Sequence, residues 1–300
     1  MAEKLFDPAT LRKLERLALV ASQVRAGAIK GERRSKRRGT SIEFADYREY
    51  VRGDDLRRVD WNIYARLERP FIKLFEEEED LATHFLLDAS ASMNWGAAQG
   101  RAYGENKFVW SLRVLAGLAY ISLVSGDYVS VQALRAGGDF KWGAHRGRAY
   151  LLPLLKELER VRPQGEIDFN QSLRNYALKA RRAGMCIVFS DLMHDSGYQE
   201  GLNALQGRGF ELVLVHVLAP DEVNPRLEGD LRLVDVESGR TQDVTVDAEM
   251  MRVYQARLLA WREEAGEFCL KRGIHYLTLD TGTPWEQVIL YELRRLGVLK

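Results

Sequence analysis

Three oxygen-bearing side chains, Asp88, Ser90 and Ser92, stand at alternate positions directly after the apolar run Phe85-Leu86-Leu87, and Ser190-Asp191 directly follows Met185-Cys186-Ile187-Val188-Phe189. In open α/β sheets, ligands bind outside the carboxyl ends of the strands, so these are the places where chemistry is expected. Two carboxylates and hydroxyls meeting at one sheet edge form a hard-oxygen set suited to Mg²⁺ or Mn²⁺. So few protein ligands leave a coordination position that a carboxylate from another protein can fill. Each short match, taken singly, is also what Asp and Ser produce when they cap helices and turns. His84, His145, His194, His216 and His275 show no metal-ligand spacing; His194, three residues after Asp191, reads as a loop residue. No Gly-rich loop precedes a Lys-Ser or Lys-Thr pair, and no Ser-His-Asp order with a nucleophile elbow occurs, which argues against ATP hydrolysis and serine hydrolase chemistry.

These residues need elements to hold them. Residues 85–88 read as a strand, 107–124 as a helix, 128–134 as an alternating strand and 140–142 as an edge strand. Residues 148–160 and 169–182 read as helices, 185–189 as a buried strand, 198–206 as a helix and 210–218 as a strand. Strands and helices taking turns predict a doubly wound, mostly parallel α/β sheet of Rossmann type with helices on both faces. Beyond Pro220, residues 231–236 and 241–246 flank Glu237-Ser238-Gly239-Arg240, predicting a hairpin insertion near 230–247. A helix over 248–271, a strand over 274–279 and a last helix from Pro284 to Leu296 then resume the alternation.

At the other end, Asp7 as cap and Pro8 open a helix carrying Leu11, Leu14, Leu17 and Ala18. Residues 28–70 are rich in Gly, Arg and Asp, with Phe44, Tyr47, Tyr50, Trp61 and Tyr64 irregularly spaced. That pattern predicts an ordered but aperiodic extension, with Trp61 burying its ring and hydrogen-bonding its nitrogen. Residues 70–75 read as a strand leading into the acidic run 76–80. The chain therefore divides into residues 1–80, a helix and an extension packed on the core, and residues 81–300, the α/β domain with its hairpin.

With 46% hydrophobic and 29% charged residues over 300 positions, disordered, collagen-like and low-complexity classes are excluded. Lys+Arg at 44 against Asp+Glu at 43 leave a net charge of +1, so any polyanion-binding argument must be local. The local candidate is Arg33-Arg34-Ser35-Lys36-Arg37-Arg38, which suits nucleic acid or anionic lipid and equally a solvated loop or docking patch. Cys186 and Cys269 are the two cysteines, which argues against a disulfide framework and for two buried, reduced thiols. The start lacks the basic and apolar regions of a secretion signal. The apolar stretch 108–124, interrupted by Arg113, reads as a buried helix and not a membrane span. Together these predict a cytoplasmic chain.

The Asp88-x-Ser90-x-Ser92 run with Asp191 resembles the metal-ion-dependent adhesion site of von Willebrand factor type A domains, over about residues 81–220 by element order. Gly39-Thr40-Ser41-Ile42-Glu43-Phe44, Arg48-Glu49-Tyr50, Gly53-Asp54-Asp55, Arg57, Asp60-Trp61, Ala65-Arg66, Lys73 and Glu77-Glu78 are similar to the signature of the DUF58 family. These are bacterial and archaeal proteins with a von Willebrand A-like domain, commonly associated with MoxR-type AAA+ ATPases. The resemblance implies a non-enzymatic adaptor that presents a cation to a MoxR-type ATPase or its client in chaperone-like assembly or activation of other proteins. Asp88, Ser90, Ser92 and Asp191 would hold the ion, and Asp60-Trp61 would anchor the extension. One departure concerns the third-loop Thr of such sites: in Gly165-Glu166-Ile167-Asp168-Phe169-Asn170, Ile167 takes its place. Asp168, Glu166 or water then substitutes, or the ion is held weakly; Asp168 is the preferred substitute, although it also suits capping the helix that begins at Phe169. Two other classes stay open. One is a metal-dependent phosphohydrolase with Asp88 as nucleophile, in which Ser90 stands where a second carboxylate is wanted. The other is a nucleic-acid adaptor acting through Arg33–Arg38.

Overall fold

A computed structural model describes residues 8–16, 43–51, 54, 59–76, 82–95, 106–236 and 239–289. The chain divides into two compact units, Met1–Lys30 with Leu81–Lys300, and Gly31–Asp80. The basic cluster 33–38, the acidic residues 77–80 and the end of the last helix lie outside the described residues.

In the larger unit, strands β3 (Ala82–Asp88), β4 (Tyr128–Leu134), β5 (Phe140–Arg146), β6 (Met185–Ser190), β7 (Glu211–Leu218) and β10 (His275–Asp280) form one sheet in the order β10-β7-β6-β3-β4-β5. All neighbours are parallel except β5, which runs antiparallel to β4. From β3 the chain first builds outward through β4 to β5, then returns to the other side of β3 with β6, so the winding reverses between β3 and β6. That is the topological switch point of a doubly wound sheet.

The period of two in these strands sorts their side chains onto two cores. Phe85, Leu87, Ile187, Phe189, Val213 and Val215 face one core with helices α3 (Lys107–Val124) and α4 (Leu151–Leu158). Leu86, Cys186, Val188, Leu212 and Leu214 face the other, with α5 (Phe169–Lys179), α6 (Gln199–Gly207) and α8 (Ala248–Leu270). Each fully buried aliphatic or aromatic side chain contributes roughly 1.5–3 kcal/mol by burial. α3 is long and apolar enough to cross a membrane, but 89% of it is buried within the protein, making it the core helix of this unit. Helix α1 (residues 8–16) belongs to the same unit and buries Leu14 in the first core, whereas the sequence reading groups it with the extension. The expected hairpin is present as β8 (Gly229–Val234) paired antiparallel with β9 (Thr241–Val246). Cys186 and Cys269 are buried free thiols.

The smaller unit is more regular than its aromatic spacing predicts. β1 (Glu43–Glu49) pairs antiparallel with β2 (Phe71–Glu76), and α2 (Trp61–Leu67) follows Asp60. A bulge between Phe44 and Asp46 inserts one extra residue, which is why the period of two is lost in the sequence. Asp60 is buried and anchors the unit: its carboxylate accepts from the Asn62 amide at 2.9 Å, the Ile63 amide at 3.3 Å and the Tyr47 hydroxyl at 3.0 Å. Trp61 does not bury its ring. It is 62% exposed and meets Tyr64 edge-on with centroids 6.0 Å apart.

A candidate cation site at the switch point

β3 and β6 deliver Asp88 and Asp191 to the same carboxyl edge, and the loop after β6 brings His194 to them. The nearest ligand atoms of these three residues all lie within 4.8 Å of one another. Asp88 is fully buried and held from three directions. Its Oδ1 accepts from the Ser90 amide at 2.9 Å, and its Oδ2 accepts from the Ser190 hydroxyl at 2.6 Å and from His194 Nε2 at 2.7 Å. Since a carboxylate accepts, His194 donates from Nε2. Ser90 Oγ and Ser92 Oγ are 3.0 Å apart, Ser90 buried and Ser92 half-buried.

The β6–α6 loop is built to hold this arrangement. Ser190 Oγ also accepts from the Leu192 amide at 2.9 Å, and Leu192 takes a left-handed φ of 57°, uncommon for a branched side chain. Phe169 stacks on the His194 ring at 4.7 Å and 12°, while Asn170 donates to the Ser196 carbonyl and accepts from the Gly201 amide at 2.8 Å. The segment expected to supply the third loop thus supports the His194 ring and its loop. Ile167 packs toward the second core, and exposed Asp168 accepts from the Gln171 amide at 2.8 Å as the N-cap of α5. Asp168 stands outside the Asp88–Asp191–His194 cluster.

The Asp191 side reaches into the protein. Lys107, the first residue of α3, is fully buried, and its Nζ is 2.6 Å from both Asp191 Oδ2 and Glu222 Oε1. Asp191 Oδ1 accepts from the Met193 amide at 3.1 Å, and Glu222 Oε2 from the Ala219 amide at 2.6 Å. Burial pushes the Asp191 carboxyl up, but the Lys107 ammonium overrides it and holds Asp191 below the ordinary carboxylate range. For Lys107, burial pulls downward and the two carboxylates more than reverse it. For Glu222, burial prevails over the ammonium and leaves the group raised. His216 Nε2 donates to the Asp191 carbonyl at 3.1 Å, which leaves Nδ1 to accept from the Tyr276 hydroxyl at 2.7 Å. Burial holds this imidazole neutral, its pKa lowered to about 4.

Of the sequence candidates, Asp88, Ser90, Ser92 and Asp191 lie at or just beyond the carboxyl ends of β3 and β6. His194, read as a loop residue, is a member of the cluster, and Lys107 and Glu222 were not anticipated. Lys107 left one signal: a cation at the N-terminus of a largely apolar helix opposes the helix dipole and calls for buried carboxylates to hold it. The donor chemistry fits a divalent cation. Asp88 and Asp191 offer two buried carboxylates there and His194 an imidazole. Carboxylate oxygens with one imidazole suit Mn²⁺ or a similar first-row ion better than Ca²⁺.

The sheet order, with one antiparallel edge strand, defines a doubly wound α/β domain. Residues 46–264 match the family described as "Protein of unknown function DUF58", and the chain belongs to that family. It is 28% identical to the "Uncharacterized protein Rv1480" of Mycobacterium tuberculosis, over 98% of this chain and 92% of that one. A Mycobacterium avium protein is 31% identical over 121 residues, which cover 40% of this chain and 71% of the other. Among solved structures, BatB from Bacteroides thetaiotaomicron is similar at 16% identity with a TM-score of 0.44, covering 73% of this chain and 99% of that one. The SpRpn10 VWA domain is similar at 11% identity with a TM-score of 0.42, covering 71% and 95%.

Proposed function

We propose that this chain is a non-enzymatic protein-binding adaptor that presents a divalent cation, held by Asp88 and Asp191, and by His194 once its proton moves from Nε2 to Nδ1 and its hydrogen bond to Asp88 is released, with Ser90 and Ser92 beside them, to an acidic side chain of another protein. The observation that carries the reading is the convergence of those three ligand atoms within 4.8 Å at the switch point. The partner's carboxylate approaches past half-buried Ser92 and exposed Met193, since the two aspartates themselves are buried. The ion would offer that carboxylate an open coordination position; the Ser190 hydroxyl and the Met193 amide fix the two carboxylates that hold it. By family resemblance the partner is a MoxR-type AAA+ ATPase or its client, the setting is the cytoplasm, and the outcome is assembly or activation of other proteins. Asp88 as a phosphoryl nucleophile is not favoured, because Ser90 stands two residues on where a second carboxylate is wanted.

The test is capture of a purified MoxR-type ATPase by the immobilised chain, in Mn²⁺ and in chelator. Capture is expected to fall at least tenfold on chelation and in Asp88→Ala, and also in the milder Ser92→Ala, with circular dichroism unchanged. Capture indifferent to chelator and to both substitutions would overturn the cation-bridged reading.

A further inference from the structure

We propose that the Lys107 ammonium is a built-in competitor of the metal: it occupies Asp191 when no ion is bound and shifts onto Glu222 when one arrives. The inference rests on the metal-site reading above and adds its regulation. Lys107 Nζ lies 2.6 Å from each of two carboxylates, and one of them, Asp191, belongs to the candidate metal cluster while the other, Glu222, does not. A divalent ion on Asp191 would stand beside the ammonium that already neutralises it, and like charges at such a separation repel strongly in a buried setting. The ammonium has somewhere to go. Glu222 is pinned by the Ala219 amide on Oε2, and its carbonyl accepts from the Tyr254 hydroxyl of α8 at 2.5 Å. It can therefore keep Lys107 paired without the side chain leaving the protein.

The arrangement has two consequences. Without the ion, Asp191 is already paired with an internal ammonium, so losing the metal does not leave that carboxylate uncompensated. Metal affinity is set lower than the donor set alone would give, because binding must first displace an internal cation. Glu222 governs the balance, since the firmer its hold on Lys107, the more available Asp191 becomes.

Mn²⁺ is the probe, with affinity read by electron paramagnetic resonance of the unbound ion and thermal unfolding followed in parallel on the full chain. Lys107→Met is expected to bind Mn²⁺ at least tenfold more tightly than the parent chain and to gain more thermal stability from it. Glu222→Gln leaves the ammonium wholly on Asp191 and is expected to bind severalfold more weakly. It also carries the test if Lys107→Met does not fold, and unchanged or tighter binding by Glu222→Gln would overturn the proposal. Mn²⁺ bound by the parent chain, lost in Asp88→Asn and unchanged in Lys107→Met, would overturn the competition while sparing the metal site. No Mn²⁺ binding by the parent chain or by Lys107→Met would overturn both.

Discussion

Single buried polar atoms set the geometry of this protein, and their protonation sets part of its stability. His84, in the middle of β3, is the clearest case outside the switch point. Its Nδ1 is 2.6 Å from the Tyr176 hydroxyl, and its ring meets Phe210 edge-on at 5.0 Å. Its Nε2 is buried with no hydrogen-bond partner among the described residues. Burial lowers its pKa from 6.5 to about 4. The unfolded chain therefore takes up this proton before the folded one does. The stabilisation from a neutral His84 is complete above the unfolded value and is lost as pH falls through about 6.5 toward about 4, an effect of about 3 kcal/mol. Replacing the pair by His84→Phe with Tyr176→Phe removes the titrating group without stranding the hydroxyl. Denaturant unfolding between pH 4 and 7 should then show a shallower dependence of stability on pH than in the parent chain. An unchanged slope would mean that His84 does not titrate in this window.

At the scale of elements, the small unit shows how far local chemistry can be trusted. Asp60 caps α2 and also receives the Tyr47 hydroxyl from β1, so one carboxylate joins two elements. Asp60→Ala is expected to cost about 1–2 kcal/mol, with faster hydrogen exchange along residues 61–67. Trp61→Ala, which removes a mostly exposed ring, should stay within about 0.5 kcal/mol of the parent. A larger loss from Trp61→Ala than from Asp60→Ala would reverse this assignment of the anchor. The same unit shows why part of the fold was illegible. β1 hides its strand character because the bulge displaces Phe44 and Tyr47 from alternation, and no local pattern announces a bulge without its partner strand. The sheet strands, by contrast, were legible from apolar runs such as Met185-Cys186-Ile187-Val188-Phe189, because a strand buried on both faces is continuously hydrophobic. At the site, Asp88 and Asp191 could be read because strand ends are local features. The contacts of His194 with Asp88 and of Lys107 with Asp191 could not, because they depend on which strands become neighbours across the switch point.

For the molecule as a whole, the two thiols offer a reporter of how the larger unit holds together. Cys186 lies on β6, level with His84 of β3 and Leu212 of β7, and Cys269 lies near the end of α8; both belong to the core that also buries α5 and α6. Burial pushes both thiols above their ordinary value, Cys269 to about 12, so neither ionises or reacts while the fold is closed. Exposing Cys186 requires the centre of the sheet to open, which also separates Asp88 from Asp191. Exposing Cys269 needs only the end of α8 to lift. If the second core is one cooperative body, a thiol reagent should label both cysteines at the same rate across a denaturant series, and that rate should track global unfolding. Faster labelling of Cys269 would show that α8 opens by itself. Repeating the series with Cys186→Ser and Cys269→Ser singly assigns each phase to its thiol. One shared phase would establish that switch point, second core and α8 are stable only together.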